Sequence, residues 1–128
     1  MIVLDENIDE PQRRRLEMWR IRVRQIGVEV GRLGMKDLNE IIPLLHGLRS
    51  STFFTRDRDF YEPGLAHRNY CLVYLDIEPG ETAQFVRAFL RRQGFRTQAE
   101  RLGKVVRVHQ TGITYWHVGA SRPARVRW

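Results

Sequence analysis

Apolar residues along this chain fall into short unbroken runs and longer spaced ones, and the two kinds alternate. Ile2-Val3-Leu4, Thr52-Phe53-Phe54-Thr55 and Cys71-Leu72-Val73-Tyr74-Leu75 are continuous. Runs of this length suit strands buried on both faces, as in a parallel sheet covered by helices. Between the first two runs, Leu38, Ile41, Ile42, Leu45 and Leu48 recur at helical spacing behind Asp37 as N-cap, with Pro43 inside the pattern. Ala83, Phe85, Val86, Phe89 and Leu90 repeat that spacing after the third run, with Arg87, Arg91 and Arg92 on the outer face. Asp9-Glu10-Pro11 starts a shorter helix that ends near Met18. Trp19, Ile21 and Val23 then alternate with Arg20, Arg22 and Arg24, which predicts a half-buried or edge strand. Gly27, Gly31 and Gly34 mark a loop. Finally, Val105–His109 and Ile113–Val118 flank Gln110-Thr111-Gly112 and predict a hairpin.

Strands alternating with helices predict an α/β fold with a mostly parallel sheet and right-handed crossovers, closed by a C-terminal β-hairpin. Residues 1–118 form one expected domain, and 119–128 an expected flexible basic tail. A hydrophobic content of 42% with 29% charged residues excludes a disordered chain. No apolar run approaches the ~20 residues of a membrane span, and a strand at residue 2 leaves no room for a signal peptide. Cys71 is the single cysteine, which excludes an internal disulfide and fits a reducing cytoplasm. Its apolar neighbours make it a core residue and not a reactive thiol.

The net charge of +7 is unevenly placed. Residues 87–128 hold ten Lys or Arg against Glu100, a balance of +9, whereas residues 1–86 hold twelve against fourteen acids, a balance of −2. An acidic front half beside a basic rear suggests an acidic site flanked by a surface that attracts polyanions.

The acids themselves follow the strands. Asp5-Glu6 ends the first run, Asp57 and Asp59 follow the second, and Asp76 ends the third. Asp37, with Glu40 three residues on, opens a helix. Ligand crevices in open α/β sheets lie at the carboxyl ends of strands, so neighbouring first and second runs would bring these carboxylates together. Carboxylates so grouped repel unless a cation sits among them, and a hard cation such as Mg²⁺ prefers oxygen ligands and keeps room for a phosphate. Each acid also has a plain role as turn or cap residue. The histidines show no metal-ligand spacing, and no Ser elbow or phosphate loop is present.

"LDEN" after a first strand, "KDLNEII" on a helix and "FFTRDRDF" across a strand end resemble, in order and spacing, the compact PIN-like domains related to toxin ribonucleases of toxin–antitoxin pairs. The resemblance covers residues 1–95. It implies a PIN-like (flavodoxin-like) three-layer sandwich that cleaves RNA phosphodiesters with Mg²⁺ or Mn²⁺. Asp5, Asp37, Asp57 and Asp59 then take the catalytic positions. Asp5, Asp37 and Asp57 would hold the ion, with Glu6 or Glu40 standing in for the further acid that larger PIN domains carry and this chain lacks. The basic tail and Arg20, Arg22 and Arg24 would hold the RNA backbone. Arg56, Arg58, Arg91, Arg92, Lys104 and Arg107 complete the candidate contacts. An RNA substrate, an antitoxin protein and a homodimer are the implied partners. The alternative is a catalytically inactive PIN-like module that binds nucleic acid or a partner, with Tyr115, Trp116 and Trp128 available for stacking. A phospho-acceptor receiver ranks third, because the strand ending in Leu75-Asp76 lacks the expected hydroxyl and Lys104 precedes its strand.

Overall fold

The structure, a computed structural model, describes all residues from Met1 to Trp128. Seven strands form one sheet: β1 (Ile2–Leu4), β2 (Arg24–Gln25), β3 (Ser51–Thr55), β4 (Tyr70–Leu75), β5 (Lys104–His109), β6 (Gly112–His117) and β7 (Ala124–Arg127). Their spatial order is β2-β1-β3-β4-β5-β6-β7. The first five are parallel, and β6 and β7 extend the sheet as an antiparallel meander. The helices are α1 (Glu10–Met18), α2 (Leu38–Leu48), α3 (Thr82–Arg91) and the single turn α4 (Gln98–Arg101). No helix is long and apolar enough to cross a membrane.

Two cores sandwich the sheet. On one face Leu4, Phe54 and Val73 meet Leu16 of α1 and Phe85, Val86 and Phe89 of α3. On the other, Val3, Phe53, Leu72 and Val105 meet Ile41 and Leu45 of α2. Alternate residues of one strand belong to opposite cores, as the pleat requires, so the central strands are apolar throughout. The result is a three-layer α/β arrangement. No helix links β3 to β4; two 3-10 turns do, and their Phe60, Tyr61 and Leu65 pack against the α2-side core.

Three expectations need correction. The alternating stretch from Trp19 to Ile26 contributes only Arg24 and Gln25 to the sheet. Arg20 takes a left-handed φ of 61° just past α1, and Trp19, Ile21 and Val23 pack against the core from irregular backbone. The expected flexible tail is instead the last strand: Ala124–Arg127 pairs with Gly112–Tyr115. Val126 lies opposite Ile113, and Trp128 donates its indole N–H to the His109 carbonyl at 2.8 Å while packing on Phe85. The domain therefore runs through the tail rather than stopping at residue 118.

Pro43 sits inside α2 on its exposed side, where the missing N–H faces water and the helix continues.

Candidate acidic site at the switch point

Strand order reverses direction between β1 and β3: from β1 the chain goes to β2 on one side, then returns to place β3 on the other. Such a switch point opens a crevice at the carboxyl ends of the two strands. Asp5 emerges there. Its N–H donates to the Phe54 carbonyl at 2.9 Å, prolonging the β1–β3 ladder, and its residue is only 2% exposed. The Thr55 hydroxyl donates to Asp5 Oδ2 at 2.7 Å and accepts the Asp57 N–H at 3.0 Å. One side chain at the end of β3 thus fixes both acids. Asp5 Oδ1, in contrast, is buried with no hydrogen-bond partner. Burial holds the Asp5 carboxyl above the usual range; the Thr55 hydroxyl and the Glu6 backbone N–H oppose this, and the charges of Asp57 and Glu6 add to it.

The surrounding loops are anchored to this point. Gln25, buried on β2, donates to the carbonyls of Asp5 at 3.0 Å and Ile8 at 2.7 Å and so clamps the turn after β1. Glu6 Oε2 accepts the Gly34 N–H at 2.9 Å, which ties down the glycine loop. Asp57 Oδ1 accepts the Asp59 N–H at 2.9 Å and opens the first 3-10 turn.

Other expected site residues stand apart from this trio. Asp37 lies at the same edge of the sheet, at the start of α2, but it is exposed and accepts the Glu40 N–H at 3.1 Å as an N-cap. Glu40 is ion-paired with Arg32. Asp59 is exposed and lines a separate groove with Arg58, Tyr61 and Trp116. No three His, Cys, Asp or Glu side chains converge where one ion would hold them all. A closed cage of Asp5, Asp37 and Asp57 is therefore not assembled. What the site does offer is a buried, unshared carboxylate oxygen beside two further acids. That donor set fits a hydrated hard cation, which takes one or two carboxylates and fills its other positions with water or phosphate.

The candidate basic contacts scatter. Arg20, Arg22 and Arg24 line a groove of about 740 Å³ with Met1 and Ile2, at the amino-terminal edge of the sheet. The four residue steps from Met1 to Asp5 separate that edge from the acid, about 13 Å at the usual strand rise. Arg91 and Arg92 end α3 at the same far edge, since α3 runs back from the end of β4 to the connection leading into β5. Lys104 donates to the carbonyls of Gly94 and Glu100 and lies over the Phe95 ring. Arg56 reaches the Ile77 carbonyl at 3.5 Å. Arg107 is held by Asp76 at 2.7 and 2.9 Å. Only Arg58 and Arg107 of the proposed set lie on the α2 face near the carboxyl edge.

Cys71 is fully buried, and burial pushes its thiol up to about 12, which removes it from any chemistry at neutral pH. His46 packs edge-on against His67 and Tyr70 at the opposite edge from Asp5. Thr55 and Gln25, which fix the turn around Asp5, are not among the site residues the sequence points to. Thr55 closes its strand two residues before Asp57, and that position is the one sequence signal for it. No protein-family model matches the chain, and no curated protein or solved structure matches it significantly.

Proposed function

We propose that this protein cleaves phosphodiester bonds of RNA with the help of Mg²⁺ or Mn²⁺, in the manner its PIN-like resemblance implies. One observation supports the reading above the others: Asp5, at the switch point, buries a carboxylate oxygen, Oδ1, that makes no well-formed hydrogen bond, the neighbouring Glu6 N–H giving it only weak support. Buried charge without a partner is costly, so such an oxygen is poised to take a cation or a proton. Asp5 and Asp57 would hold the ion, with Glu6 as a third oxygen within electrostatic range. A bound hard cation supplies a more acidic water and offsets charge developing on phosphorus.

The chain's own residues set the stage for this. Thr55 locks Asp5 with Oδ1 as its only free oxygen and fixes the backbone of Asp57. Gly34 restrains Glu6. Arg58, exposed on the 3-10 turn, offers a fork of donors to a phosphate at the lip. The test is cleavage of a labelled RNA under Mn²⁺ or Mg²⁺ by the native chain and by Asp5→Asn. Loss of at least about a hundredfold in rate is expected from removing one of so few ligands. Equal cleavage by the two proteins refutes the proposal. Growth arrest on expression that requires Asp5 would extend it to a toxin with a protein antitoxin.

The absence of a converged three-acid centre favours one second reading, a module that binds nucleic acid without cleaving it. That reading expects salt-dependent RNA binding and no turnover with any divalent ion.

A further inference from the structure

The α2-side face of the sheet changes character between its parallel and antiparallel halves. Val3, Phe53, Leu72 and Val105 form its apolar row, and the core on that side contains no residue of β6 or β7. On the opposite face the core continues through Val108 and Ile113, with Tyr115 against it. The meander is therefore covered on one side and open on the other.

Register shows which side chains stand on the open side. Val105 pairs with Trp116, Arg107 with Thr114, and Thr114 with Arg125. Directly paired residues share a face, and so do alternate residues along a strand. The open face thus presents Arg107, His109, Thr114, Trp116, Arg125 and Arg127. Two contacts agree with this placement. Trp116 lines a groove with Leu38 of α2, Arg58 and Tyr61, and the Thr114 hydroxyl lies 3.2 Å from His109 Nε2.

The same register links this face to the acidic crevice. Thr55 pairs with Tyr74, Tyr74 with Arg107, Arg107 with Thr114 and Thr114 with Arg125. Asp5 lies beside Thr55 at the head of the row. The row Asp5-Thr55-Tyr74-Arg107-Thr114-Arg125 crosses six adjacent strands, about 24 Å at the usual strand spacing. Its far end is basic: residues 104–128 contain Lys104, Arg107, Arg122, Arg125 and Arg127 and no acid. Arg125 and Arg127 are exposed and in no ion pair, because the carboxylates paired with arginine are Glu17, Glu29, Glu10, Glu40 and Asp76.

We propose that the open face of β5–β7 is the surface on which a single-stranded RNA lies, its backbone on Arg125 and Arg127 and a base on Trp116, with the polar row leading the strand to Asp5. The occupant follows from charge and shape together. Unpaired arginines complement phosphates, and a partly exposed indole flanked by Tyr61 offers a π-face that a base in a single strand can reach. A duplex keeps its bases stacked inside and gains nothing from Trp116. The assignment rests on the RNA-cleaving reading for its destination at Asp5, and binding tests it separately from cleavage.

Binding of a fluorescein-labelled single-stranded RNA is measured by anisotropy with Asp5→Asn protein in EDTA. Arg125→Glu with Arg127→Glu should weaken binding at least tenfold at 0.1 M salt and flatten the salt dependence. Trp116→Ala should weaken it about tenfold, and Trp116→Phe should restore most of the loss. Circular dichroism confirms that each variant is folded. The paired change Arg20→Glu with Arg22→Glu, at the far edge, should alter affinity less than twofold. Equal loss from the far-edge pair, no loss from the Arg125 and Arg127 pair, or equal binding of duplex RNA and of heparin overturns the assignment. Intact binding with no cleavage by the native chain would sink the catalytic reading alone. Cleavage that survives the Arg125 and Arg127 changes at limiting RNA would sink the platform alone.

Discussion

Replacing Asp5 by Asn should make the ion-free protein more stable while lowering the proposed RNA cleavage at least about a hundredfold. Asp5 is 2% exposed, and Oδ1 has no partner. The Asn carbonyl can still accept from the Thr55 hydroxyl that now donates at 2.7 Å, so that contact survives. What disappears is a negative charge that is buried, half satisfied and repelled by Asp57 and Glu6. An unsatisfied buried acceptor costs about 1–3 kcal/mol, and more when charged. The amide leaves its NH₂ in the same dry position, which returns part of the gain. A net stabilisation of about 1–2 kcal/mol is therefore expected at pH 7 in EDTA, about 3–10 °C in melting temperature for a chain of this size. The sign with pH follows from the raised carboxyl. The folded state holds the Asp5 proton more tightly than the unfolded chain, so the native protein has its full share of stability below the ordinary Asp value of 3.8. That share is lost as pH rises through the folded-state value, and the gap between Asn and native proteins must narrow on acidification. Adding Mn²⁺ at ten times its dissociation constant should stabilise the native chain by about 1.4 kcal/mol and leave Asp5→Asn unmoved. Thermal melts from pH 4 to 8, with and without the ion, read all of this. A variant less stable than the native chain at pH 7 in EDTA would show that the Asp5 charge supports the fold, and the reasoning would fail.

Two further substitutions have defined outcomes. Thr55→Val removes the buried donor to Asp5 Oδ2 and the part-buried acceptor for the Asp57 N–H; it should cost about 2–3 kcal/mol in urea unfolding and lower the proposed RNA cleavage at least tenfold. Gly112→Ala places a Cβ 2.1 Å from the Val126 carbonyl oxygen, so β7 must move away from β6; faster amide exchange at residues 124–127 and weaker RNA binding should accompany it, and unchanged exchange there would mean the meander adapts without separating.

Much of this architecture is legible from the order of residues. Unbroken apolar runs fixed β1, β3 and β4 because strands covered on both faces have no polar side to show, and helical spacing fixed α2 and α3. Acids placed directly after buried runs pointed to the carboxyl edge, where Thr55 links the Asp5 carboxylate to the Asp57 backbone N–H. The β5–β6 hairpin followed from two alternating segments around a turn. Other features depend on what a segment touches. Arg24 and Gln25 alone join the sheet from an eight-residue alternating stretch, because Arg20 turns the backbone and the edge beside β1 is short. The basic tail becomes β7 since Gly112 leaves room for the Val126 backbone and Trp128 finds Phe85 and the His109 carbonyl. Neither partner is near in sequence. Charge at residues 20–24 reads like charge at residues 125–127 along the chain, yet the sheet sends one group to the amino-terminal edge and the other to an open face in register with Asp5. The residue pattern thus determined the central strands β1, β3 and β4 and where acids leave them. Tertiary pairing decided which acids converge, which oxygen stays unsatisfied and which arginines share a face with it, because register across strands is set by packing between residues far apart in the chain.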